Sequence, residues 1–499
     1  MKKLLALLYS PNSPNSPIFF LSLCIIQCYL LYGCGKSSNG NEVKSLSMAR
    51  KQQSSQQQRK VNTISLQPTR IFIRDRKIAT PVFYPFEKCP VHNTRSKYWA
   101  QLAVDADLMQ AELKRMHIPT GHTSVAVIDT GFDFSLAESR FDSPKITAQQ
   151  SNTGCGSADQ DENGHGTMVA GLIGGTDNIG IAPDVNISVY RVTKTGNQSV
   201  TTMESILAAI KQACNDGNEI INLSFNSEED EHGRLRQEVV AKKFIHEMLE
   251  RGCLIVAAEG NDAYRELYST NDLDDSLLRV TAGRPGAKIA PFSSIGEVIA
   301  PGTLVATIAN TTNNFDNIIC EKNKLILGSG TSFATPIISS VAGEVLGVLK
   351  KNINATKNAT KNQITQANKV KIVTRILKAS ELKGVINGLR AVLLAEAWGR
   401  GINNTIKTKK NIHVTIPSVA ELKTLLKETY KHYCEKNVDI TTEELLLSIG
   451  RKKLSLCSEL DPTVAQDLIK KLLYLKAVNN NYDLLQEFGK YQFLFSQLK

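Results

Sequence analysis

The chain has 499 residues, 42% of them hydrophobic and 21% charged, which is enough to bury a sizeable core and excludes wholesale disorder, collagen and coiled coil. Lysine and arginine number 59 against 48 acidic residues, a net charge of +11, and such an excess raises nucleic acid as a partner. Its distribution removes that class. Residues 350–410 carry 14 basic side chains against only Glu381 and Glu396, with no aromatic interleaving and no nucleic-acid fold motif, so the charge reads as a local solvated face.

After Lys2 and Lys3 no charge occurs before Lys36, and Ile18 to Tyr32 is almost wholly apolar. That run is short for a membrane span, which needs about 20 residues, and suits the apolar core of a secretory signal. It ends in Leu31-Tyr32-Gly33-Cys34, which resembles the lipobox of bacterial lipoproteins. The resemblance implies a signal over residues 1–33, lipidation of Cys34, and a body anchored in the cell envelope on the extracytoplasmic side of a membrane. Of ten cysteines, Cys24, Cys28 and Cys34 belong to this segment. The remainder is odd in number, so at least one thiol is free or pairs between chains, and the connectivity stays open.

Residues 34–60 are polar, rich in Gln and Ser and without periodicity, and read as a flexible tether. Residues 61–96 form an N-terminal extension of uncertain structure, with a short β-like run from Thr69 to Ile73 and prolines at 81, 85 and 90. A helical pattern follows from Tyr98 to about Met116 and stops at Pro119 and Gly121. Five apolar, strand-like runs come next: Ser124 to Ile128, Ile187 to Val192, Ile220 to Phe225, Leu254 to Ala258 and Ser276 to Thr281. Helical patterns separate them at Thr167 to Ile173, Ser205 to Cys214 and Glu238 to Arg251. Apolar strands alternating with helices indicate an α/β fold, a doubly wound and mostly parallel sheet with helices on both faces. Ligands of such sheets bind beyond the carboxyl ends of the strands.

Three motifs lie where that rule directs attention. Asp129-Thr130-Gly131 ends the first strand; Asn163-Gly164-His165-Gly166-Thr167 opens a helix of small residues; and Gly328-Ser329-Gly330-Thr331-Ser332 is a Gly-rich turn feeding another helix. Taken singly, each has a structural explanation: a turn Asp, a core His, an N-cap Ser. In this order and with these neighbours they resemble the subtilisin-like serine peptidases, whose chain order Asp, His, Ser differs from other Ser-His-Asp enzymes. Val256-Ala257-Ala258-Glu259-Gly260-Asn261 is similar to the family's oxyanion-hole segment, and the resemblance extends from about Trp99 to Trp398. It implies a peptidase domain over residues 97–400, with Ser332 as nucleophile, His165 as general base, Asp129 as its orienting partner and Asn261 as oxyanion donor. It further implies that a peptide substrate runs along Ser224, Phe225 and Asn226 and against the segment Ala257, Ala258, Glu259 and Gly260.

This chain departs from the family pattern at three of its positions. Asn226 stands where Gly is usual, which would narrow or polarise the pocket entrance. Glu259 occupies a position that is more often small, where a carboxylate would favour basic substrate residues or simply sit in solvent. Ile337 replaces a common His, and reads as a packing position. The triad needs no cofactor, and no metal site is assigned. Structural calcium, common in the family, would need oxygen-rich loops, and the acidic clusters Asp159, Asp161, Glu162 and Asp272, Asp274, Asp275 are the candidates. Residues 350–369 form a low-complexity basic loop within the peptidase domain. Residues 411–499 read as a small all-α domain, with capping boxes at Ser418-x-x-Glu421 and Thr441-x-x-Glu444 and an Asp461-Pro462 helix start. The sequence thus points to a membrane-tethered serine endopeptidase acting on protein or peptide substrates. The alternative is a binding protein of the same fold whose chemistry has lapsed.

Overall fold

The structure, a computed structural model, describes residues 70–72, 98–141, 146–149, 155–194, 200–225, 243–261, 263, 275, 277–286, 288–309, 325–354, 364–408 and 416–436. The lipobox with Cys34, the tether, Asn226, the core of the 350–369 loop and the helix-start motifs beyond residue 436 lie outside them. In chain order the first half holds β1 (Arg70–Phe72), α1 (Trp99–Ala103), α2 (Ala106–Arg115), β2 (Ser124–Asp129), α3 (Ala137–Arg140), β3 (Ile146–Gln149), α4 (His165–Gly174), β4 (Asn186–Arg191), β5 (Val200–Thr202), α5 (Met203–Asn215) and β6 (Ile220–Leu223). Then come α6 over 243–250, β7 (Leu254–Ala258), β8 (Leu277–Arg284), β9 (Lys288–Ile289), β10 (Val298–Pro301), β11 (Val305–Ile308), β12 (Leu325–Gly328), α7 (Thr331–Asn354), α8 (Gln366–Ala379), α9 (Gly388–Thr408) and α10 (Val419–Lys436).

The main sheet runs β10-β8-β7-β6-β2-β4-β3, with every pair along that path parallel and β9 joined antiparallel to β8. The α/β reading therefore holds. Side-chain alternation on β2 divides the core in two. Val125 and Val127 enter one buried cluster with Val169 and Leu172 of α4 and Ile338 and Val341 of α7. Ala126 and Ile128 enter the other with Ile206 and Ile210 of α5 and Met248 of α6. A parallel strand buried on both faces must be apolar throughout, which is why Ser124 to Ile128 shows no polar alternation. The helix α7 is long and apolar enough to cross a membrane, yet its apolar window is fully buried; it is the central core helix, covered on all sides by protein.

Three differences from the sequence reading have physical causes. The single helix expected over 98–116 is broken at Val104 and Asp105, where Asp105 takes a left-handed φ of 53°. The break frees the Val104 carbonyl to accept from Gly388 N at 2.8 Å and lets Asn387 donate to Asp105 at 2.6 Å, so α9 docks onto the kink. The last strand of the sequence reading continues past Thr281 to Arg284, because β10 pairs with it through Gly283 and β9 pairs with Gly283 and Arg284. Helix α10 does not stand apart from the peptidase core: Leu422 and Leu426 lie in the same buried cluster as α7, α8 and α9.

Several local signals are realised as read. Ser418 and Glu421 form a reciprocal capping box, Ser418 N donating to Glu421 Oε2 at 2.7 Å and Glu421 N to Ser418 Oγ at 3.2 Å. The β-like run near residue 70 forms β1, which pairs antiparallel with β5. Cys214 at the end of α5 is disulfide-bonded to Cys253 just before β7, with Cα atoms 6.0 Å apart.

Candidate active site

Asp129 is the last residue of β2, at the carboxyl edge of the sheet between β4 and β6. The chain crosses from β2 to one side for β3 and β4 and later to the other for β6, so this edge is a topological switch point. Asp129 is fully buried. Its Oδ1 accepts from Thr130 N at 2.8 Å and lies 2.8 Å from His165 Nδ1. His165 opens α4 and is also buried. Close approach of α4 to the strand end depends on Gly166: a Cβ there would lie 2.1 Å from the Gly131 carbonyl oxygen and 3.2 Å from Asp129 Cβ.

Ser332 is the second residue of α7 and 6% exposed, so it is a first-turn residue of the helix rather than its N-cap. The start of α7 is fastened by Asn261, whose Oδ1 accepts from Thr331 N at 3.0 Å and from Thr331 Oγ1 at 3.2 Å. Thr331 Oγ1 in turn accepts from Gly260 N at 3.2 Å. With its carbonyl oxygen committed to α7, Asn261 retains its amide protons for another acceptor. On the other side Phe333, the residue after Ser332, meets the His165 ring edge-on at 6.1 Å between centroids. The first turn of α7 therefore lies between His165 and Asn261. Its amides have no intrahelical acceptor and carry the positive end of the helix dipole.

Ser224 follows β6 and is buried, and a buried polar chain ties it to α7. Asn222 Nδ2 donates to Ser224 Oγ at 2.9 Å, and Ser339 Oγ donates to Asn222 Oδ1 at 2.8 Å. Phe225 is half-buried beside it, while Ala257 and Ala258 end β7 and lead into Gly260. Ile337 is fully buried in the core cluster, a packing residue. Glu259 corrects the sequence reading. It is neither solvated nor offered to a basic substrate side chain: it is 2% exposed and its Oε1 lies 3.3 Å from Arg279 Nη1. Arg279 is equally buried and also pairs with Glu297 at 3.2 Å. Such pairs contribute little net stability, but removing one partner strands a buried charge.

Sequence reading missed how the loop before His165 is held. Asp161, considered there only for calcium, directs its carboxylate at four donors: Thr130 Oγ1 at 2.8 Å, Gly164 N at 2.7 Å, Thr167 N at 2.9 Å and Thr167 Oγ1 at 2.7 Å. The available signal was an Asp a few residues ahead of a helix start, within reach of the free amides of its first turn. Glu162 pairs with Arg191, whose guanidinium also donates to the carbonyls of Gln160 and Thr193. In the second acidic cluster Asp275 pairs with Arg375 at 2.9 Å, and Asp272 and Asp274 lie outside the described residues. Among the described residues no group of three or more His, Cys, Asp or Glu is arranged to hold a metal.

Comparison with known proteins gives the same picture. The sequence is 30% identical over 257 residues to the minor extracellular protease Epr of Bacillus subtilis (strain 168), covering 50% of this chain and 35% of Epr. It is 28% identical over 272 residues to subtilisin DY of Bacillus licheniformis, covering 52% of this chain and 88% of that protein. It is also 27% identical over 237 residues to the nisin leader peptide-processing serine protease NisP of Lactococcus lactis subsp. lactis, covering 43% of this chain and 34% of NisP. The matched segment thus spans about a third of the length of Epr and of NisP. The profile of the subtilase family matches residues 120–388, a range that contains Asp129, His165, Asn261 and Ser332 and more than half of the sequence, and on that match this chain belongs to the subtilase family.

Proposed function

We propose that this protein is a serine endopeptidase that hydrolyses peptide bonds through Asp129, His165 and Ser332, with Asn261 completing an oxyanion hole. The observation that carries the reading is the 2.8 Å contact between His165 Nδ1 and Asp129 Oδ1, beside a Ser332 helix start clamped by Asn261. Asp129 holds the imidazole with its Nδ1 proton directed at the carboxylate, which leaves Nε2 to take the proton from Ser332 Oγ. The Ser332 oxygen attacks the substrate carbonyl carbon, and the carbonyl oxygen becomes an oxyanion. The Ser332 amide and the Asn261 side-chain amide donate to that oxyanion. Collapse breaks the C–N bond, His165 returns its proton to the leaving amine, and water then releases the acyl group by the same route. None of these steps calls on a metal or cofactor.

The substrate is a protein or peptide lying extended along Ser224 and Phe225, a mode in which backbone pairing gives affinity and side-chain pockets give preference. Lipidation at Cys34 would hold the enzyme on the extracytoplasmic face of a membrane, and the Cys214–Cys253 disulfide supports an oxidising compartment.

The test is labelling of residues 35–499 by a fluorophosphonate probe. The wild-type chain is expected to label, Ser332→Ala to give no signal, and Asn261→Ala to turn over peptide with kcat lower by about 10²–10³-fold, a magnitude that comes from a subtilisin itself. A folded wild-type chain that does not label would overturn the peptidase reading in favour of a binding protein.

A further inference from the structure

Asp161 joins the two segments that carry Asp129 and His165. On one side it accepts from Thr130, the residue that follows Asp129, at 2.8 Å. On the other it accepts from N of Gly164, the residue that caps the helix beginning at His165, at 2.7 Å and from Thr167 N and Oγ1 in its first turn at 2.9 and 2.7 Å. Thr130 Oγ1 closes the loop by accepting from Gly166 N at 2.9 Å. The amides of the α4 cap residue Gly164 and of Thr167 are thus satisfied by one carboxylate, and that of Gly166 by the hydroxyl that this carboxylate orients. Asp161 is 5% exposed. The two backbone amides among these groups can only donate, and an ionised carboxylate accepts at both oxygens.

We propose that Asp161 is a positioning residue for catalysis: acting with Thr130, it fixes the start of α4 so that His165 Nδ1 stays within hydrogen-bond distance of Asp129. The inference rests on the peptidase reading above. Burial prevails and raises the Asp161 carboxyl above the usual carboxylate range, and the bonds from Thr167, Gly164 and Thr130 oppose that rise. An asparagine at this position would keep the shape but turn an NH₂ group towards N–H and O–H donors. The helix start would have to shift, and displacement of a reacting group by about 1 Å can cost about 100-fold in rate.

Asp129 from β2 faces His165 directly; the loop before His165 carries Asp161 and Glu162, the latter paired with Arg191 of β4, and the first turn of α7 brings Phe333 edge-on to the ring. Removing the Asp161 charge and loosening the contact to Asp129 both disfavour the imidazolium. The acid limb of the pH profile should therefore move to lower pH, a change that a loss of folded protein would not produce.

The experiment compares fluorophosphonate labelling rates across pH for wild type, Ser332→Ala, Asp161→Asn, Thr130→Val and Thr130→Ser in the full chain, with circular dichroism to confirm folding. Asp161→Asn is expected to label about 100-fold more slowly, with its acid limb at lower pH. Thr130→Val should shift in the same direction, and Thr130→Ser, which keeps the hydroxyl, should recover most of the rate. If Asp161→Asn does not fold, the Thr130 pair decides. Labelling of Asp161→Asn at the wild-type rate, slowing with an unshifted profile, or a Thr130→Val defect that serine does not repair overturns the inference while leaving the peptidase reading intact. An inert wild-type chain overturns both.

Discussion

His122, which precedes β2, and Glu344 of α7 form a buried pair that makes stability depend on pH. Glu344 is fully buried within α7, its Oε2 is 2.9 Å from His122 Nε2, and its Oε1 accepts from Gln110 of α2 at 2.9 Å. Gly347 makes room for the ring, since a Cβ there would lie 1.9 Å from His122 Cδ2. Burial works against a charged His122, but the hydrogen bond and charge of Glu344, with the Pro119 carbonyl, prevail and raise it above the ordinary 6.5. A base whose folded value is raised stabilises the fold fully below its unfolded value and loses that contribution as pH rises through the folded value. The thermal midpoint of His122→Gln should therefore fall furthest below wild type under pH 6, and the gap should close as pH rises above 7. A gap independent of pH would contradict this. Asp129, His165 and Ser332 were legible because each sits in a short local frame of Gly and Thr. Glu259 was misread because what decides its role is Arg279, on the neighbouring strand β8.

At the level of elements, the Cys214–Cys253 bond joins the end of α5 to the start of β7 and encloses β6, Ser224 and Phe225 within a sequence separation of 39. Closing a loop of this length restricts the unfolded chain and contributes about 2–4 kcal/mol. Reduction, or the double substitution Cys214→Ala with Cys253→Ala, should lower the denaturant midpoint accordingly, and peptidase activity should be lost at a lower temperature. An unchanged midpoint would remove the bond from the stabilising set. The pairing was not legible in the sequence, because spacing along the chain does not say which strands become neighbours. The capping box at Ser418 and Glu421 was legible, because both partners lie within one helical turn.

For the whole molecule, the core extends through α10. Leu422 is buried against the body formed by α7, α8 and α9, so Leu422→Ala should cost about 2–5 kcal/mol, as cavity-forming core substitutions do. Lys427→Ala, on the exposed face of the same helix, should stay within about 0.5 kcal/mol. Chemical denaturation of the two variants checks this. Equal effects would mean that Leu422 takes no part in that core.

What the sequence determined by itself was everything with a short range: apolar runs that specify strands buried on both faces, the glycines flanking His165 and those in the turn before Ser332, the helix caps, and the order of the motifs. These depend on neighbours within a turn or a strand, so composition and spacing express them directly. What only the tertiary structure decided were pairings across the sheet and between helices: Asp161 with Thr130, Glu259 with Arg279, Cys214 with Cys253, and the Asp105 kink that receives α9. Each joins segments from 20 to nearly 300 residues apart, and such partners become neighbours only once strand order and helix crossovers have placed them.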